Sequence, residues 1–161
     1  MKLNKFKKIN RIFALISFGI ALSTYTLTVE PTASYWDCAE YISTSSKLQI
    51  GHPPGAPLFQ MLGAFFSLFT NEVEQIALMV NMMSVFASAL TILFLFLTIS
   101  IICKKIILKN DNKLISINEC ILIVGASTLG SLSFTFTDSF WFNAVEAEVY
   151  AMATMIMALL F

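Results

Sequence analysis

The sequence predicts an all-α integral membrane protein, a multi-pass helical bundle. Three observations predict it: the composition, the blockwise arrangement of apolar residues, and the partition of charge along the chain. Of 161 residues, 57% are hydrophobic and 12% charged, and the mean hydropathy is +0.78. A soluble domain carries about a quarter charged residues, so this chain has too little polar surface to cover a globule. Its apolar residues run in long blocks, unlike the stripe of a soluble amphipathic helix. The formal net charge is zero, but acids and bases occupy different stretches.

Met1–Arg11 is basic, with Lys2, Lys5, Lys7, Lys8 and Arg11 and no acid. Ile12–Val29 is apolar apart from Ser and Thr, long enough to cross the hydrocarbon core as a helix. Ala21-Leu22-Ser23 could serve as a signal-cleavage site. The apolar run continues past it, however, and an uncleaved anchor is expected. Glu30-Pro31 ends this span, because proline has no N–H to donate. Ser34 is expected to cap the next helix, with Asp37 three residues on in capping-box position. That helix runs from about Tyr35 to Leu48. Its spacing puts Asp37, Glu40, Tyr41, Thr44 and Lys47 on one face. Gly51-His52-Pro53-Pro54-Gly55-Ala56-Pro57 reads as a stiff, shaped loop.

Leu58–Thr70 is apolar but short for a span, which predicts an interfacial or re-entrant helix. Asn71–Gln75 is a polar break. Ile76–Cys103 is a full span, Lys104–Lys113 a basic loop, and Ile115–Thr137 a third span with Asn118 and Glu119 at its interface. Asp138–Tyr150 is a second polar stretch. Ala151 onward begins a further span with no polar tail, so the chain is expected to be the N-terminal part of a longer protein. The positive-inside rule places the N-terminus in the cytoplasm. Both basic clusters then lie inside, and of the ten basic residues only Lys47 lies outside. Loops 30–75 and 138–150, which hold eight acids, share the extracytoplasmic face of an inner membrane.

Four groups of residues bear on chemistry. Asp37 and Glu40 read either as acid–base carboxylates at a membrane surface or as a helix cap beside a solvated face. Lys47 and His52 are potential cations for a lipid phosphate, or a snorkelling lysine and a loop histidine. In Asn143–Tyr150, a continuous helix would set Asn143, Glu146 and Tyr150 on one face, with Glu148 nearby. The same stretch also reads as an aromatic belt with interfacial acids. Cys38, Cys103 and Cys120 are an odd set without metal spacing, expected to be small apolar residues. No Walker loop, dinucleotide glycine motif, His/Cys metal cluster or nucleophile elbow is present, so no metal is expected. The bases are membrane anchors, which argues against nucleic acid.

Trp36-Asp37-Cys38-x-Glu40, Gly51-His52-Pro53-Pro54-Gly55-x-Pro57 and Asn143-Ala144-Val145-Glu146-x-Glu148-Val149-Tyr150 together resemble a family of multi-pass membrane proteins. The family is labelled domain of unknown function 2723, is found in Bacteroidota-type bacteria, and is related to animal transmembrane protein 260. The resemblance implies a GT-C type glycosyltransferase similar to protein O-mannosyltransferases. It implies a polyprenyl-phosphate sugar as donor, no certain cofactor, a Ser/Thr hydroxyl of a protein as acceptor, and inversion at the anomeric carbon. By that analogy Asp37 is the general base and Glu40 positions the acceptor or the sugar. Lys47 and His52 are then the candidates to stabilise the leaving phosphate. Two other classes remain open: a transporter with an acidic outer vestibule, and a non-catalytic membrane scaffold. A transporter is expected to carry charges at the bilayer midplane, and Ile76–Cys103 carries none.

Overall fold

The computed structural model describes residues 3–34, 36–108 and 114–161. Among them are seven α-helices and no strand: α1 Leu3–Leu27, α2 Cys38–Ser46, α3 Pro57–Ser67, α4 Ile76–Ile107, α5 Ile117–Thr135, α6 Asp138–Val145 and α7 Val149–Leu160. A single 3-10 turn, Val73–Gln75, leads into α4. Three helices are long and apolar enough to cross a membrane: α1, α4 with its leading turn, and α5. α6 and α7 form a pair bent by 111° at the break between them. With 11 residues, α3 is about 16 Å long, roughly half the hydrocarbon thickness.

The packing clusters fix the directions of the spans. Phe6 and Ala14 of early α1 meet Phe96 of late α4 and Cys120 and Ile123 of early α5. Ala21 and Tyr25 of late α1 meet Val85 and Ala89 of early α4 and Phe140 of α6. α1 and α5 therefore run one way and α4 the other. The starts of α1 and α5 and the end of α4 share one end of the bundle. The stretches 28–57 and 136–150 share the opposite end.

Helix boundaries differ from the expected ones where local chemistry extends or trims them. α1 begins at Leu3, because lysine is a good helix former and nothing interrupts the run from there to Ile12. α4 continues past Cys103 and takes Lys104 and Lys105 into its last turn, where they face the negative end of the helix dipole. Of the expected basic loop, residues 109–113 lie outside the described residues. α5 starts on a capping box: Glu119 N–H donates to Ser116 Oγ at 3.1 Å, and Ser116 N–H donates to Glu119 Oε2 at 2.8 Å. Glu119 is thus bound up in a helix start.

α2 departs further. It begins at Cys38, not near Tyr35, which lies outside the described residues. Asp37 holds the N-cap position but makes no side-chain capping bond. Ser34 does not cap the helix either, since its hydroxyl donates to Glu146 Oε2.

α4 is the central helix. Its buried set, from Val80 through Ser100, covers most of its circumference. Small residues line the α1 contact, with Ala14, Ser17 and Ala21 on α1 and Ser84, Ser88 and Ala89 on α4 all buried. Small side chains let membrane helices approach closely without a hydrophobic drive between them. Gly63 does the same for α3: a Cβ there would lie 2.6 Å from Ser45 Oγ of α2.

One polar side chain of α4 anchors the first polar stretch. Asn81 is fully buried. Its amide donates to the carbonyls of Glu30 at 2.6 Å and Thr32 at 2.9 Å, and its Oδ1 faces Cys38 Sγ at 3.8 Å. Leucine at this position removes both donors from these part-buried carbonyls, a loss of about 0.5–1.5 kcal/mol per hydrogen bond. Asn81→Leu is therefore expected to destabilise the protein by about 1–3 kcal/mol, read as a lowered Tm in detergent. An unchanged Tm would mean that the stretch is held elsewhere.

Candidate active site

The site is built where the two polar stretches meet. α2 projects Asp37 and Glu40 from its first turn, and the loop that follows folds back over them. Gln49 N–H donates to Thr44 C=O at 2.8 Å, and Gly55 N–H to His52 C=O at 2.8 Å, closing a turn around the two prolines. Gln60 of α3, buried, braces the loop from beneath. Its amide accepts from Gly51 N–H at 3.1 Å and donates to Gln49 C=O at 3.3 Å. Gly51 leaves room for this closure, since a Cβ would lie only 3.1 Å from Glu40 Oε1 and 3.0 Å from the end of the Gln60 side chain.

This folding brings His52 onto Glu40. The His52 backbone N–H donates to Glu40 Oε1 at 2.6 Å, and His52 Nδ1 lies 2.8 Å from Glu40 Oε2. His52 Nε2 then faces Asp37 Oδ2 at 3.9 Å. Both oxygens of Glu40 are occupied, whereas Asp37 is 54% exposed and only loosely approached. The backbone hydrogen bond from His52 and then its ring hold the Glu40 carboxyl below its usual range. The bond to Glu40, and then the two carboxylate charges, push the His52 imidazole above 6.5. Tyr41 packs beside them, its ring 6.2 Å from His52 and 5.1 Å from Phe59 of α3.

The second stretch supplies the other wall. Glu30 N–H donates to Val145 C=O at 3.0 Å, and Ser34 bonds Glu146. Asn143–Tyr150 is not one continuous helix. Glu146 and Glu148 are extended, and α7 restarts at Val149. Asn143, Glu146 and Tyr150 consequently do not share a helix face. Asn143 Nδ2 turns back to Ser139 C=O at 2.7 Å within α6. At the break, Val145 C=O accepts from Glu30 N–H and the Glu146 carboxylate accepts from Ser34, so the chain bonds to the stretch after α1 instead of continuing the helix. Glu148 drops into the notch and is only 8% exposed. Burial first, then the charges of Glu146 and Asp37, raise its carboxyl above the usual range. Burial, then Glu148, Asp37, Glu40 and Tyr150, raise the Tyr41 phenol. Asp37, Glu40, Tyr41, Glu148 and Tyr150 thus share one electrostatic neighbourhood.

Lys47 is not part of it. At the C-cap of α2, it lines a separate groove with Met61, Phe65 and Leu68 of α3. The face expected to carry it alongside Asp37 ends before it, because α2 stops at Ser46. Asp37, Glu40 and His52 each offer one ligand atom within 4.8 Å of the others, a spacing that could hold a cation. The sequence hid this group because its members sit on a helix and on a loop beyond it. Any such ion would compete with His52 for Glu40. Asn81, Ser34 and Gln60 were also missed. Asn81 is the one amide in the α4 run, and that isolation was the signal available.

Residues 37–161 match the model of the protein O-mannosyl-transferase TMEM260 N-terminal domain. The chain belongs to this family. It is also 27% identical over 137 residues to the protein O-mannosyl-transferase tmem260 of Dictyostelium discoideum, a match covering 84% of this chain and 14% of that relative. The chain thus spans a small part of the length of the curated relative it matches. No solved structure matches the chain. The TMEM260 domain match begins at Asp37. It takes in Glu40, His52, Glu146 and Glu148, and leaves out α1, Glu30, Ser34 and Trp36.

The Glu40–His52 contact makes a titratable prediction for this TMEM260-family chain. Glu40 is lowered and His52 raised, so the ionised pair persists between the two values. Its contribution is lost as pH falls through the Glu40 value and as pH rises through the His52 value. The single histidine is expected to titrate above 6.5 by NMR, and its midpoint should fall in Glu40→Gln. A midpoint that ignores the substitution would dissolve the pair.

Proposed function

We propose that this chain forms the acceptor-activating part of a GT-C type membrane glycosyltransferase. The enzyme transfers a mannose-like sugar from a polyprenyl-phosphate carrier to a Ser or Thr hydroxyl of a protein, on the extracytoplasmic face of the membrane. The observation that carries this reading is the freedom of Asp37. It makes no capping bond, is half exposed, and has His52 3.9 Å away. The family relationship supports it.

In this reading Asp37 takes the proton of the acceptor hydroxyl as the oxygen forms its bond to the anomeric carbon. The bond from that carbon to the phosphate oxygen breaks, and the lipid phosphate leaves with the electron pair. Attack opposite the leaving group inverts the centre. Asp37 then gives its proton to water. Glu40 is a positioning residue, because both its oxygens hold His52. A protonated His52 sets a positive charge beside Asp37 and offsets charge developing on the phosphate. Glu146 and Tyr150 form the substrate-facing wall of the second stretch, with Glu148 buried behind them. Asn143 has its amide oxygen and its second N–H to offer, since one N–H is bonded to Ser139 C=O. Lys47 is assigned to phosphate at the membrane surface on the α3 side, away from the reacting atoms.

With full-length protein in detergent, a labelled polyprenyl-phosphate mannose and a Ser/Thr peptide, Asp37→Asn is expected to lower transfer by about 10²–10⁴-fold at unchanged expression. Wild-type transfer in that variant would remove Asp37 from the mechanism. A membrane-impermeant thiol reagent applied to intact cells is expected to label Ser46→Cys but not Asn4→Cys. The reverse pattern would invert the orientation.

A further inference from the structure

The cleft between the end of α1 and α6 belongs to none of the roles given above, apart from its Glu146 edge. It has a volume of about 670 Å³ and is lined by Glu30, Ser34 and Trp36 on one side and Phe142 and Glu146 on the other. We infer that it is a pyranose-binding subsite, holding the ring of the sugar beside Asp37. The inference rests on the glycosyltransferase reading and adds residues to it.

Four features point to a neutral, hydroxyl-rich ring. First, two large aromatic side chains stand in the open. Trp36 is 93% and Phe142 69% exposed, although each is costly to leave in water. Trp36 is also held with φ at 63°, a backbone region that bulky residues rarely adopt. An aromatic face is the electron-rich side of the ring, and the C–H face of a pyranose presents it with weakly positive hydrogens.

Second, each carboxylate is half used. Glu30 Oε1 accepts from the backbone and hydroxyl of Thr32, and Glu146 Oε2 accepts from Ser34. The second oxygen of each remains an acceptor. Sugar hydroxyls radiate donors around the same ring whose faces are apolar, so one ligand meets both kinds of wall. Third, among the described residues no cation lines the cleft, and two carboxylates there repel an anion. The lipid phosphate belongs elsewhere, and the neutral part of the donor belongs here. Fourth, the walls are fixed in advance by the Glu30–Val145 backbone bond and by the Ser34–Glu146 contact, which lowers the cost of ordering a ligand. The volume falls within the usual range of small-molecule sites, about 300–1,000 Å³.

The test uses full-length protein in detergent with methyl α-D-mannopyranoside as probe, read by saturation-transfer-difference NMR. The wild type is expected to saturate the ring C–H protons. Trp36→Ala and Glu146→Gln should each weaken binding at least tenfold, while Trp36→Phe keeps most of it. Trp36 is solvent-exposed, so its removal does not threaten the fold. Asp37→Asn, which lowers transfer by about 10²–10⁴-fold under the reading above, should leave glycoside binding in place. Absence of glycoside binding in an enzyme that still transfers sugar overturns the subsite alone. Binding intact in both Trp36→Ala and Glu146→Gln overturns it equally. An arginine-rich peptide held by the cleft in place of the glycoside, and released by Glu146→Gln, would reassign the cleft to a cationic partner. Glycoside binding with no transfer by any preparation would instead sink the glycosyltransferase reading and leave the subsite standing.

Discussion

The buried amide of Asn81 is the constraint on which the polar end of the molecule depends. A long apolar helix has no reason to organise a polar loop, and α4 is apolar almost everywhere else. Asn81 gives it one pair of donors, and the chain spends them on the carbonyls of Glu30 and Thr32. Those carbonyls are part-buried, and the Asn81 amide supplies their protein donors. Fixing them fixes the Glu30 N–H, which meets Val145, and Ser34, which meets Glu146. Two stretches more than 100 residues apart in sequence are thereby registered against each other through one side chain on a third element.

That registration explains which parts of the fold were legible in the sequence. The spans were visible because bilayer thickness and hydropathy dictate them with little help from tertiary contacts. The common end of the two polar stretches followed from charge partition, and the packing of α1, α4 and α5 places them together. The short helices were not legible at their ends. Ser34 and Asp37 have the spacing of a capping box, but Glu146 takes the Ser34 hydroxyl, a competition no local pattern reveals. The break at Glu146–Glu148 was hidden for the same reason. Helical periodicity continues through it, and only bonding to the end of α1 makes the extended conformation preferable. Ser116 and Glu119, by contrast, form a purely local capping box.

Within the site, the two carboxylates that look equivalent in sequence have separate duties. Glu40 is saturated by a loop histidine 12 positions away, and Asp37 keeps its oxygens exposed. The difference arises from the glycine at 51, which allows the loop to close to contact distance, and from Gln60 beneath it. Spacing gave the pair, while the loop decided which member stays free. Lys47 shows the converse: it follows the helical pattern of Asp37 and Glu40, but α2 ends one residue before it.

The burial of Glu148 has a consequence for how the site responds to its medium. Asp37, Glu40 and His52 lie in water, where mobile ions surround charges and damp their influence beyond about 8–10 Å at physiological ionic strength. Glu148 sits in the notch of a sharply bent helix pair, where counter-ions do not follow. Its charge raises the Tyr41 phenol, and the Asp37 charge helps to raise Glu148. The cluster therefore has two electrical components, one that fades as salt is added and one that does not. Added salt is therefore expected to damp the longer-range influence of the exposed carboxylates while leaving buried Glu148 coupled to Tyr41.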